Sequence, residues 1–205
     1  MKLHSQEDTT NRDGLMSGTS YQTHDAAHLG ASHIVLTDCT EESLDLARKN
    51  VRLCSEADLI LNADMRMSVH HLRWEQDLGV KLYLHVNGGV DAPKDIGEPL
   101  DQNALFDVVL GSDLVYSIGH AGLLPRVIMR RLRPGGTAII VTAIRNSTHH
   151  DEFVTSCRET RGLCNLKIQW KEVQQEFYSE EDAMEEEDFS RGFLIVTFTS
   201  AVEEE

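Results

Sequence analysis

The sequence lacks the features that mark exported, membrane-spanning and disulfide-stabilised proteins. No apolar stretch approaches the roughly 18 residues that a membrane-spanning helix needs. The amino terminus is polar and acidic, whereas a secretory signal has a basic start followed by an apolar run. The four cysteines have no Cys-x-x-Cys spacing, so we expect reduced, half-buried thiols and no zinc site. These absences predict a cytoplasmic protein that does not bind membranes.

Positive charge is also scarce. The chain has 19 lysines and arginines against 34 aspartates and glutamates, which gives a formal net charge of -15. Such a chain repels nucleic acid phosphates, so we expect no nucleic acid partner and favour a basic protein partner. Much of the negative charge lies in residues 180–188 and in the terminal Glu203, Glu204 and Glu205, which are typical of a solvated loop and tail.

The length and composition fit one folded unit. A chain of 205 residues with 40% hydrophobic residues is long enough to bury its own core. We therefore expect a single domain over residues 1–205, as a monomer or weak oligomer. Residues 1–14 are expected to be disordered or a remnant, and residues 176–190 to form an acidic loop.

Three short apolar runs predict buried parallel strands. They are rich in β-branched residues, are bounded by polar or turn-forming residues, and cover 33–37 (HIVLT), 106–111 (FDVVLG) and 137–143 (TAIIVTA). Helical patterns follow the first two, at 41–53 after a capping Thr40 and at 121–132. Alternating strands and helices predict a doubly wound, Rossmann-like α/β fold, with the three strands adjacent near the centre of the sheet.

The carboxyl-terminal part predicts a different sheet edge. A helix near 151–159 is followed by two strand-like segments, 166–173 and 192–199, with the acidic loop and no helix between them. Strands joined in this way pair antiparallel, so the mostly parallel sheet should have an antiparallel edge. Residues 79–103, rich in Gly, Pro and Asp, are interpreted as a loop with at most one short strand.

Asp38 is the first candidate site residue. It ends the first predicted strand, at the edge where open α/β sheets bind ligands, and a carboxylate there can accept both hydrogen bonds of a ribose diol. Alternatively, Asp38 caps the following helix together with Thr40. The spacing alone does not separate the two interpretations.

Asp113 and Tyr116 form the second candidate group. They follow the strand at 106–111, and both side chains could face the same cleft and orient an amine. In the competing interpretation Asp113 caps a helix and Tyr116 packs on the core, and the pattern alone favours this structural role.

Four segments together carry a family resemblance. These are VLTDCTEESLDLARKNV, LRW at 72–74, FDVVLGSDLVY and RRLRPGGTAIIV, in this order. They resemble the seven-strand lysine methyltransferases, also called methyltransferase family 16. The resemblance covers roughly residues 15–162.

The resemblance implies a class I methyltransferase that uses S-adenosylmethionine to methylate a lysine of another protein. Asp38 would hold the cofactor ribose and Trp74 would lie against the adenine, while Asp113 and Tyr116, as the family's D-x-x-Y motif, would be catalytic. Further residues expected against the cofactor are Gly18, Thr19, Cys39 and Ser112.

The sequence departs from the family at its start. The family has an apolar strand and an acidic turn with three glycines, through which the backbone approaches the cofactor. The corresponding turn falls on 14–20, where Gly18 alone of the three glycines remains and Gly14 replaces the acid. Residues 8–13 (DTTNRD) cannot form a buried strand. Either the chain is a truncated or alternatively spliced product or the fold tolerates a remnant, and cofactor affinity should fall in both cases.

Two other functions therefore stay open: a catalytically inactive binding module with this fold, and a small-molecule methyltransferase. The pairs His70-His71 and His149-His150 do not favour a metal, because adjacent residues on a strand face opposite sides. Cys39, without a nearby histidine, is expected to be a small packing residue.

Overall fold

The computed structural model describes residues 13–17, 31–56, 65–80, 97–143, 147–172 and 192–201. Its seven strands are β1 (Asp13–Ser17), β2 (His33–Asp38), β3 (Arg66–His71), β4 (Phe106–Ser112), β5 (Leu132–Ala143), β6 (Leu163–Glu172) and β7 (Gly192–Ser200). The helices in this part of the chain are α1 (Glu41–Glu56), α2 (Trp74–Leu78), α3 (Ile118–Arg131) and α4 (Ser147–Glu159).

The strands form one sheet in the order β3-β2-β1-β4-β5-β7-β6. The pairs from β3 to β5 are all parallel, whereas β7 pairs antiparallel with both β5 and β6. The expected Rossmann-like architecture, mostly parallel with an antiparallel edge, is confirmed.

Helices cover both faces of the sheet because each has an apolar stripe. On one face, Ala47 and Val51 of α1 pack against Ile34 and Leu36 of β2. On the other face, a larger core joins the apolar side chains of α3 and α4 to the sheet, including Leu124, Ile128, Phe153, Val109 and Ile140. No helix in the described part of the chain is long and apolar enough to cross a membrane.

The predicted helix starts are close to those observed. Thr40 caps α1 as expected, because its Oγ1 accepts a hydrogen bond from the backbone N–H of Ser43 at 3.3 Å. Helix α3 begins three residues earlier than predicted, at Ile118, and Ser117 caps it by accepting from the N–H of His120 at 3.2 Å.

One sequence prediction about the centre of the sheet is wrong. The strands at 33–37 and 106–111 are not adjacent, because β1 lies between them and pairs parallel with both. Residues 14–17, assigned above to the glycine-rich turn, therefore belong to a strand. Backbone pairing on both edges satisfies the peptide groups of these five residues, so β1 does not need the long apolar run by which buried strands are usually recognised.

Strand β5 starts earlier than predicted and is irregular at its beginning. Phe106 pairs with Leu132, but Val108 already pairs with Thr137, so the intervening residues of β5 loop out of register. Gly136 lies in this irregularity, where a Cβ would come within 2.9 Å of the Arg133 carbonyl oxygen. The Pro134-Gly135-Gly136 segment thus lies within the strand.

Candidate functional site

The carboxyl ends of the parallel strands meet at one edge of the sheet. The register pairs Asp38 of β2 with His71 of β3, and Ser17 of β1 with both Thr37 and Gly111. Open α/β sheets bind ligands at this edge, so the residues that follow each strand are the candidates for a site.

At the end of β2, the Asp38 side chain folds over the turn into α1. Its Oδ1 accepts hydrogen bonds from the backbone N–H groups of Cys39 at 2.7 Å and Thr40 at 3.0 Å, and from the Thr40 hydroxyl at 3.2 Å. These three bonds use one carboxylate oxygen, and Oδ2 takes part in none of them. Asp38 therefore caps the start of α1 through Oδ1, as the capping interpretation predicts. Binding of a ribose by Asp38 stays a prediction.

Cys39 is exposed beside Asp38, so the expectation of a small packing residue is wrong. Partial desolvation and then the Asp38 carboxylate raise the pKa of the Cys39 thiol. A raised pKa disfavours the thiolate, so the site does not activate this cysteine as a nucleophile. Of the other described cysteines, Cys157 is buried and Cys164 is half-buried.

At the end of β4, the backbone makes a sharp turn around Asp113. Asp113 has a φ of 52°, a left-handed conformation that aspartate tolerates better than most residues. Its N–H donates to the Val141 carbonyl oxygen of β5 at 2.7 Å. The turn needs Gly111, because a Cβ there would lie 2.6 Å from Leu114 Cδ1 and 2.8 Å from Ile140 Cδ1.

The residues after Asp113 pass from the core to the surface. Leu114 and Val115 are buried, whereas Tyr116 is 57% exposed. Ser117 caps α3. Both parts of the structural interpretation of the D-x-x-Y segment are therefore wrong: Tyr116 does not pack on the core, and Asp113 does not cap the helix.

An aromatic cluster joins the two sides of this edge. The Trp74 ring contacts the His120 ring edge to face, with ring centroids 5.3 Å apart. The Tyr116 ring also contacts the His120 ring edge to face, with ring centroids 6.1 Å apart. Sequence reasoning missed His120, although its place four residues after Tyr116 and in the first turn of α3 was a usable signal. The cluster links the predicted adenine and acceptor residues through one imidazole.

A buried ion pair joins α2 to α3. The guanidinium of Arg131, 1% exposed, donates from Nε to Asp77 Oδ2 at 3.3 Å and from Nη2 to Asp77 Oδ1. Its Nη1 donates to the carbonyl oxygens of Asp101 at 2.6 Å and Ala104 at 3.2 Å. The sequence contains no signal for this pair, because 54 residues separate the partners.

Some predicted site features lie outside the described residues. These are Gly18, Thr19 and the acidic loop at 176–190. Two other predicted residues are described and half-buried: Trp74 is the first residue of α2, and Ser112 is the last residue of β4. Among the residues with described side chains, no three His, Cys, Asp or Glu residues form a group that could hold a metal ion.

Comparisons with known proteins add evidence at the level of the fold. No protein-family model matches the sequence, and no curated protein matches it. Among solved structures, the N-methyltransferase NodS from Bradyrhizobium japonicum WM9, in complex with S-adenosyl-L-homocysteine, is similar with a TM-score of 0.53 and 14% identity. The alignment covers 92% of this chain and 78% of NodS.

Two further structures agree. A methyltransferase from Pyrococcus furiosus has a TM-score of 0.55 and 14% identity, over 94% of this chain and 76% of that protein. A predicted O-methyltransferase from Agrobacterium tumefaciens has a TM-score of 0.56 and 13% identity, over 95% and 76%. At such low identity the likeness concerns the fold alone, and by this measure the chain has the fold of class I methyltransferases.

Proposed function

We propose that this protein transfers a methyl group from S-adenosylmethionine to a lysine side chain of another protein. The observation that carries the proposal is the carboxyl edge of the sheet. Asp38 ends β2, Asp113 and the exposed Tyr116 follow β4, and the His120 ring contacts both Trp74 and Tyr116. A ligand-binding edge of this kind in a class I methyltransferase fold supports a donor on the β2 side and an acceptor on the β4 side.

The residues at the β2 side have the chemistry that the cofactor needs. Asp38 Oδ2 is an acceptor for a ribose hydroxyl, since the turn uses only Oδ1. The half-buried Trp74 offers an aromatic face for an adenine, and the Ser112 hydroxyl at the end of β4 can donate or accept. Cys39, exposed beside Asp38, would line the same side.

The protein's part in the reaction is to bind and align the two reactants. The cofactor, when bound, supplies a methyl group attached to a positively charged sulfur, and this sulfur is a good leaving group. In the proposal the Asp113 carboxylate holds the lysine ammonium, which releases a proton to solvent water, and then orients the neutral amine that remains. In the proposal Tyr116 narrows the approach to that amine.

Charge and exposed surface support a protein acceptor. The net charge of -15 attracts a basic segment, and the apolar side chains of Tyr116 and Ile118, both more than half exposed, offer contacts beside the lysine. A small-molecule methyltransferase would instead enclose its acceptor in a pocket.

A catalytically inactive binding module is the second candidate. It is favoured by the amino-terminal strand, because β1 ends at Ser17 and the next three residues, Gly18, Thr19 and Ser20, contain one glycine. A turn with side chains holds the backbone further from a cofactor than a glycine-rich turn does.

Two measurements test the proposal. Calorimetric titration of the full chain with S-adenosylhomocysteine should give saturable binding, and its absence would favour the inactive module. Transfer of labelled methyl groups should then be compared between a poly-L-lysine peptide and n-butylamine. We expect the peptide to be the better acceptor, and preferential methylation of the free amine would indicate a small-molecule enzyme.

A further inference from the structure

Helix α2 carries Trp74 but has little means of holding its own position. It has five residues, too few for a stable isolated helix, and its apolar residues Trp74 and Leu78 are only partly buried against the core. Its cap residue, Arg73, makes no side-chain capping hydrogen bond. Tertiary contacts must therefore determine where the Trp74 ring lies.

The polar contact that ties α2 to α3 is the ion pair between Asp77 and Arg131. The two side chains are 3% and 1% exposed, and the carboxylate and guanidinium meet through two parallel donor-acceptor pairs. Such a forked pair fixes both distance and orientation, unlike a single contact of a flexible lysine. Arg130 adds a longer contact, with its Nε 3.6 Å from Asp77 Oδ1.

Arg131 also determines the position of the segment before β4. Its Nη1 binds the carbonyl oxygens of Asp101 and Ala104, so one guanidinium joins α2, α3 and this segment. The same segment extends the edge of β3, since the Leu100 N–H donates to the His71 carbonyl oxygen at 3.0 Å. Arg131 thus fixes the segment before β4 relative to α2 and α3.

We propose that Asp77 and Arg131 are positioning residues that hold the Trp74 ring for cofactor binding. The inference rests on the proposed function, in which Trp74 faces the adenine. A buried ion pair is a poor source of stability, because desolvation offsets most of its attraction, but it specifies one arrangement of its partners. Here the pair fixes α2 at Asp77, three residues after Trp74.

The test uses the full chain with Trp170 replaced by phenylalanine, so that Trp74 is the single remaining tryptophan. In this background Asp77→Asn removes the charge, and Asp77→Glu keeps the ion pair but lengthens it by one methylene. The control is Asp107→Asn, which removes the carboxylate of a partly exposed ion pair, Asp107 with Arg133 at 2.8 Å, that does not involve α2.

We expect Asp77→Asn to shift the Trp74 emission maximum to the red and to weaken S-adenosylhomocysteine binding by about tenfold to a hundredfold, as misplacement of a binding group does. Asp77→Glu should recover thermal stability but not affinity, because the pair is intact and α2 is displaced. Asp107→Asn should change neither emission nor affinity.

Three results would overturn the inference. In the first, Asp77→Glu recovers wild-type affinity together with stability, which would make the pair a purely structural element. In the second, Asp77→Asn leaves the Trp74 emission unchanged. In the third, Trp74 emission shifts but affinity does not. If the Trp170→Phe protein itself does not bind S-adenosylhomocysteine, the proposed function fails, and the emission of the Asp77 variants still decides whether this pair positions Trp74.

Discussion

Strands β2 and β4 each end beside an aspartate, and the protein holds these two aspartates in opposite ways. Asp38 is fixed through its side chain, whose Oδ1 accepts the backbone N–H groups of Cys39 and Thr40. Asp113 is fixed through its backbone, which has a φ of 52° and donates its N–H to Val141. The difference predicts that a substitution at Asp38 changes the turn as well as cofactor binding. Under the proposed function, a substitution at Asp113 should change methyl transfer, provided that the new residue tolerates the same backbone.

The helices next to these strand ends differ in a similar way. Helix α1 has ion pairs at its surface, where Arg48 meets Glu41 at 2.6 Å and Asp45 at 2.7 Å. Helix α3 has the buried pair of Arg131 with Asp77. The β4 side is therefore fixed by groups away from water, and the β2 side by groups that water reaches.

The largest effect is expected for Asp113→Asn. Asparagine also tolerates a positive φ, so the turn should persist, while the loss of charge should lower methyl transfer by about 10² to 10⁴-fold. The measurement is kcat/KM with labelled S-adenosylmethionine and the poly-L-lysine peptide, alongside thermal melting. Normal transfer by this variant would remove Asp113 from the catalytic role.

The next effect concerns the two ion pairs. Asp77→Ala leaves a buried guanidinium without its carboxylate and should lower the free energy of unfolding by about 3–5 kcal/mol. Arg48→Ala, the matched surface variant, should cost only about 0.2–1 kcal/mol. Denaturant titration measures both, and equal losses would contradict the contrast between the two helices.

Asp38→Ala should reduce S-adenosylhomocysteine affinity. A hydrogen bond to a charged group contributes about 1.5–3 kcal/mol, which corresponds to roughly tenfold to a hundredfold in the dissociation constant. Asp38→Asn should lose less, since its amide oxygen can still accept from the turn. Calorimetry is the measurement, and unchanged affinity in the alanine variant would leave Asp38 as a cap alone.

Backbone strain separates the two aspartates further. Asp113→Ala places an ordinary residue at positive φ and should cost about 1–2 kcal/mol of stability relative to Asp113→Asn. A glycine at the same position should remove that strain. If the Asp113→Ala and Asp113→Asn variants unfold at the same denaturant concentration, the backbone conformation does not determine the position of Asp113.

The smallest effect is on cysteine reactivity at the β2 side. Partial desolvation and the Asp38 carboxylate raise the pKa of Cys39, so Asp38→Asn should lower that pKa and increase the thiolate fraction at pH 8. Alkylation by iodoacetamide, followed by peptide mass spectrometry, should accelerate a few-fold, and bound S-adenosylhomocysteine should slow it.

Cys157 is the internal control for this measurement. Burial raises the pKa of its thiol to about 12, so it should stay unmodified in every folded variant. Equal alkylation of Cys39 in the wild type and in Asp38→Asn would contradict the electrostatic role of Asp38.

The sequence predicted the elements whose residues carry their own signal. The strands at 33–37, 106–111 and 137–143 have β-branched runs, and Thr40 precedes a clear apolar stripe. Strand β1 was missed because its neighbours, and not its five residues, supply the stabilising contacts. Helix α2 was missed for the same reason, since a five-residue helix depends on contacts with Arg131, His120 and the core.

The site was predictable in part. The position of Asp38, Asp113 and Tyr116 at or after the ends of buried strands predicted that they lie at the carboxyl edge of the sheet, where the structure has them. The exposure of Tyr116 and the positive φ of Asp113 depend on how Leu114 folds back over Gly111, which no pattern of residue types records.

The place of β7 determines when this protein can finish folding during its synthesis. β7, the last strand in the described part of the chain, lies between β5 and β6 and pairs with both. Leu163 of β6, for example, can pair only after Ser200 has been synthesised. Until the ribosome has released residues 192–200, β5 and β6 each present an open edge. A nascent chain stalled before that point would expose two unpaired strands to chaperones or to other chains, although every residue of the proposed site had already been made.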